Sequence, residues 1–139
     1  MIGVIFGEKG TGKTKHILEL ANKSAKEAKG SIVFIDSDSS YMYDLSTSIR
    51  FINVTEYSIC TPKMLFGFLS GLAAMDFDLE YVFVDGFAAI THHSVDSLEG
   101  LFQQLEKFSE KNNINIIASI NGNPDSVPAF LKDKVLHTL

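Results

Sequence analysis

The chain has 139 residues, of which 45% are hydrophobic and 21% charged, enough for one ordinary hydrophobic core with nothing to indicate a second. Its net charge is −5 and its lysines are dispersed, so it lacks the electrostatic footprint of a nucleic-acid binder. The single cysteine, Cys60, excludes an internal disulfide, and neither end carries a leader-like region, a long apolar span or a lipidation signal, so a cytoplasmic protein without membrane attachment is expected.

The first predicted element is a strand, the apolar run Ile2–Phe6. Directly behind it comes GEKGTGKT, which fits the P-loop pattern G-x-x-x-x-G-K-S/T at Gly7, Gly12, Lys13 and Thr14. The expected phosphate-binding segment is therefore Gly7, Glu8, Lys9, Gly10, Thr11, Gly12, Lys13 and Thr14. Glycines at 7, 10 and 12 let the backbone curl until successive N–H groups converge on an anion, a conformation that a Cβ resists. A helix is expected from about Lys13 to Ala28, with Ile17, Leu18, Ala21, Ala25 and Ala28 on its apolar side and Gly30 placed to end it. The positive end of its dipole and the free N–H groups around Thr11 to Thr14 suit a β-phosphate. Lys13 is expected to reach the β- and γ-phosphates, and the Thr14 hydroxyl to complete the coordination of a Mg²⁺ ion.

Further along, Ile32–Ile35 and Phe51–Val54 read as strands. Between them DSDSSYMYDLSTSIR, residues 36–50, is compatible with a loop, a short helix, or a loop that orders on ligand binding. A second helix should open with Thr61 as N-cap and Pro62 at its first position, with Leu65, Phe68, Leu69, Leu72 and Met75 as its core stripe. Next comes the strand Tyr81–Val84, closed by Asp85 in YVFVD. Apolar residues ending in an acid form the Walker B arrangement, which sets a carboxylate beside the Mg²⁺ shell next to the P-loop threonine. His92 and His93 are adjacent, would face opposite ways on a strand, and have no cysteine or histidine cluster behind them, so no metal site is expected there; His16 and His137 carry no pattern. A third helix is expected from about Asp96 to Asn112, with a D-x-x-E start at Asp96 and Glu99 and a stripe of Leu98, Leu101, Phe102, Leu105 and Phe108. The strand Ile114–Ile120 follows, then a weaker one at Val135–Leu139.

Near-continuous apolar strands alternating with helices imply a mainly parallel sheet covered on both faces, a three-layer α/β/α domain spanning 1–139. Such sheets bind ligands at the carboxyl ends of their strands, where the P-loop and Asp85 lie.

Taken in order, GEKGTGKT, IVFIDSDSS, YVFVDGFAAI and INIIASINGN resemble the RecA and KaiC-like branch of P-loop ATPases over nearly the whole chain. The resemblance implies a Mg²⁺-dependent ATPase that uses ATP as its nucleotide and works as a homo-oligomer or with a protein partner. In that family the strand after the first helix usually ends in a glutamate that polarises the attacking water. The best match is Asp38, with Asp36 as second choice, and each is one methylene shorter, which bears on hydrolysis more than on binding. Asn121, with Ser119 just before it, matches the position of a γ-phosphate-sensing polar residue, and Lys132 and Lys134 resemble fingers inserted into a neighbour's site. One arginine in the chain, Arg50, argues against a nucleotide kinase, and NGNPD lacks the lysine of a guanine-reading N-K-x-D motif. Glu8 stands where MinD-like ATPases carry a lysine. Two classes of function stay open: an ATPase whose Lys13, Asp38 and Asp85 do the chemistry, and a non-hydrolysing nucleotide-binding switch.

Overall fold

The structure is a computed structural model and describes residues 1–139. Six strands form one sheet: β1 (Ile2–Gly7), β2 (Ser31–Asp36), β3 (Ile49–Asn53), β4 (Leu79–Val84), β5 (Asn115–Asn121) and β6 (Val135–Thr138). Their order is β3-β2-β4-β5-β1-β6, and every pairing is parallel. Four helices lie in three of the connections: α1 (Lys13–Glu27) between β1 and β2, α2 (Pro62–Met75) between β3 and β4, and α3 (Phe87–Thr91) and α4 (Glu99–Asn112) between β4 and β5.

The period of two along each strand sorts the core into two halves. Val4, Phe6, Val33, Ile35, Val82, Val84, Ile116 and Ala118 point to one face, where they meet Leu65 and Leu69 of α2 and Leu101, Phe102, Leu105 and Phe108 of α4. Ile5, Ile32, Phe34, Phe83 and Ile117 point to the other and pack on Ile17, Leu18 and Ala21 of α1. Helices therefore cover both faces, which is why the strands are apolar at nearly every position. The expected three-layer α/β/α architecture with a mainly parallel sheet is the one observed.

Element ends show where local signals gave way. Thr61 caps α2 as expected, its hydroxyl accepting from the Met64 N–H at 3.1 Å. Gly30 does not end α1 in a left-handed cap: the helix closes at Ala28 with extended backbone. A Cβ at Gly30 would instead collide with the Asp78 carbonyl oxygen, so the glycine admits a close chain crossing. Met75, expected in the core stripe of α2, is exposed. Asp96 lies in a separate 3-10 turn, Val95–Ser97, and α4 starts at Glu99 behind Leu98 with no side-chain cap. Within residues 36–50 the chain forms bends and a 3-10 turn at Met42–Asp44 before β3 begins at Ile49.

Candidate phosphate-binding site

β1 ends at Gly7 and α1 begins at Lys13, so the P-loop segment bridges a strand and a helix as its spacing requires. Gly10 and Gly12 have φ of 83° and 94°, values that favour glycine and that turn the backbone into a concave arc. At Gly7 a Cβ would press on the Thr11 hydroxyl and the Leu139 carbonyl. No backbone N–H from Lys9 to Lys15 donates to any acceptor of the chain; the first to do so is that of His16, to the Gly12 carbonyl at 3.1 Å. A row of unpaired donors at the positive end of a fifteen-residue helix can accept an anion. The Glu8 carbonyl shapes it from below, accepting from Thr11 Oγ1 at 2.7 Å and from Lys13 Nζ at 2.8 Å. Lys13 is buried, and that burial lowers the pKa of its ammonium while nearby Asp85 works to raise it.

Asp85 follows β4 and is fixed from three sides. Its N–H donates to the Ile35 carbonyl at 2.9 Å. Ser119 of β5 donates its hydroxyl to Asp85 Oδ1, and Thr14 donates its own to Asp85 Oδ2 at 2.9 Å. The last contact joins residues 71 positions apart, the two that the motifs assign to one Mg²⁺ ion. Ser119 also accepts the Gly86 N–H at 2.8 Å, which locks the turn after the strand. Left-handed Gly86 then starts α3, and left-handed His92 ends it. The two histidines thus sit at a helix end; His93 Nδ1 meets the Thr91 carbonyl at 2.7 Å.

A cavity of about 760 Å³ opens over this cluster, lined by Lys9, Gly10, Gly12, Lys13, Thr14, Asp85, Ser119 and Asn121 among others. Asn121 closes β5 in register with Gly7, so it stands beside the P-loop. Asp38 is not brought there. It is exposed, its carboxylate accepts the Ser40 N–H at 2.6 Å, and hydrogen bonds from Ser40 hold its pKa below the usual value. Asp36 is buried next to Asp85, and burial first, then the Asp85 charge, pushes its pKa up to about 7. Lys134 pairs with Glu106 at 3.4 Å and with Asp133 at 3.3 Å within its own chain. Lys132 is exposed.

The far wall of the cavity was not visible in the motifs. Lys15, Leu18, Glu19 and Asn22 of α1 face Tyr41 and Asp44 across it. Asn22 holds that wall in place, donating to the Asp44 carbonyl at 2.9 Å and accepting the Ser46 N–H at 2.7 Å. The only sequence signal was an asparagine on the helix face next to the apolar stripe. No group of three or more His, Cys, Asp or Glu side chains is arranged to hold a metal by itself. A metal at Thr14 and Asp85 would need further ligands from a bound phosphate chain and water, the mode expected for Mg²⁺.

No protein-family model matches the sequence, and no curated protein does. Among solved structures, the chain is similar to PCH-2 of C. elegans, at 17% identity and a TM-score of 0.57, over 99% of this chain and 34% of that one. It is also similar to the flagellar accessory protein FlaH of Methanocaldococcus jannaschii, at 16% identity and a TM-score of 0.53, over 92% of this chain and 63% of that one. This chain thus spans less than two thirds of either. These likenesses show the fold alone: a three-layer α/β/α architecture with a mainly parallel central sheet. No helix is long and apolar enough to cross a membrane.

Proposed function

We propose that residues 1–139 form one nucleotide-binding unit that holds ATP with Mg²⁺ over the P-loop and hydrolyses it to ADP and phosphate. The supporting observation is the convergence of three features: unpaired N–H groups from Lys9 to Lys15, buried Lys13, and the Thr14–Asp85 contact. The loop glycines and amides bind the phosphates, Lys13 leaves the Glu8 carbonyl for β- and γ-phosphate oxygens, and Asn121 contacts the terminal phosphate. Thr14 and Asp85 would hold the metal, and Ser119 orients Asp85. When bound, Mg²⁺ neutralises charge on the phosphate oxygens. Asp36, rather than Asp38, takes the water-positioning role, because β2 carries it buried to the level of Asp85 while the Asp38 carboxylate is exposed and bonded to the Ser40 N–H. Resemblance to the RecA and KaiC-like branch supports coupling of turnover to self-assembly or to a protein partner.

A second reading has its own observation. The family's glutamate is replaced by Asp38, and Asp38 is committed to the Ser40 turn. A chain that binds ATP or ADP and hydrolyses neither would use occupancy to order residues 36–50 and change a partner surface. Phosphate release across a range of protein concentrations separates the two. A specific rate above background that Asp36→Asn abolishes and Asp38→Asn leaves intact is the result expected of the ATPase. Tight Mg-ATP binding with no release at any concentration assigns the chain to the switch.

A further inference from the structure

The edge of the sheet opposite the P-loop carries apolar surface that the monomer leaves uncovered. α2 and α4 run back from the carboxyl ends of their strands, so their last turns meet at the amino edge. Between those turns lies a groove of about 640 Å³ with Phe66, Ala73 and Phe108 along it and Phe77 at its mouth. Phe77 is 98% exposed and Met75 90%. The patch continues up the outer side of α2, where Met64, Gly67, Gly71 and Ala74 are exposed and Lys63 is the sole charged residue of the helix. A single exposed ring is ordinary on a protein surface, but a ring, a groove and a helix face with Lys63 as its one charge, joined together, are the pattern of an interface.

The charges around it indicate what fits. Lys107 and Lys111 of α4 line one side of the groove. Asp76 and Asp78 flank Phe77 in the turn between α2 and β4. None of these four forms an ion pair within the chain; the salt bridges are those of Lys134. One patch therefore presents unpaired acids beside an apolar plug and unpaired lysines beside an apolar groove. Such a surface is complementary to itself, the requirement for contact across a twofold axis. We propose that a second copy of this chain covers the patch, the Phe77 turn of each copy entering the α2–α4 groove of the other with Asp76 and Asp78 facing Lys107 and Lys111. The P-loops then lie on the outer ends of the dimer, so the contact does not depend on nucleotide.

Sedimentation equilibrium of the full chain over low to high micromolar concentrations tests this. The parent should dimerise with a Kd in the micromolar range. Phe77→Ser, at a position too exposed to support the core, should be monomeric with an unchanged melt in dilute solution. Lys107→Glu/Lys111→Glu and Asp76→Lys/Asp78→Lys should each raise the Kd about tenfold or more alone, because like charges then face each other. Mixing the two charge variants should restore a dimer, since both charge contacts across the axis become favourable again. A parent that stays monomeric throughout, a dimer indifferent to Phe77→Ser, or charge variants that fail to recover on mixing would overturn the proposal.

Discussion

The contact between Thr14 and Asp85 is where two distant stretches of sequence become one site, and it was legible because each stretch carries its own motif. Asp36 was harder to rank against Asp38. Both follow the same apolar run, and only the structure shows that β2 carries Asp36 to the level of Asp85 while Asp38 turns outward. The buried pair gives a pH prediction. Without Mg²⁺, the Asp36 carboxyl is raised from 3.8 to about 7, so the folded chain holds this proton more tightly than the unfolded one. Its contribution to stability is complete below about pH 4 and is lost as the pH rises through about 7. Denaturant unfolding should therefore show the parent losing about 2 kcal/mol more than Asp36→Asn between about pH 5 and pH 8, after allowance for solvent screening. Equal slopes for the two proteins would mean that Asp36 ionises freely in the fold.

Elements were read most easily where one local signal sufficed. Thr61 and Pro62 fix the start of α2 because the cap and the proline act within a single turn. The short helix α3 has no such signal; it depends on left-handed backbone at Gly86 and His92, which an apolar FAAIT does not announce. Gly30 departs from the expected helix-ending role for a related reason: a glycine that ends a helix and one that lets two chains cross are identical in sequence, and only the Asp78 carbonyl tells them apart. Gly30→Ala should therefore destabilise the protein by about 1–3 kcal/mol in urea unfolding, whereas a glycine merely near a helix end would tolerate alanine. Asn22 belongs to the same scale. Its two hydrogen bonds pin residues 44–46 to α1 and so set the far wall of the cavity. Asn22→Ala should cost about 1 kcal/mol and speed amide exchange across residues 41–46, with little change elsewhere.

For the whole molecule, an all-parallel sheet with a helix layer on each face puts the carboxyl ends of β1, β4 and β5 on one edge and the α2–α4 groove on the other. The first edge carries the proposed nucleotide chemistry and the second the proposed self-association. Sequence made the layers legible because every central strand is apolar on both faces. It left the groove hidden, because Phe66, Phe77 and Phe108 look alike as letters and differ only in what covers them. The P-loop as a phosphate cradle underlies both readings of the site, and calorimetric titration of Mg-ATP into the parent and Lys13→Ala tests it most directly. Binding at micromolar affinity that falls about a hundredfold in the variant is the predicted result. No heat of binding to the parent, or equal affinity in the two proteins, would contradict it.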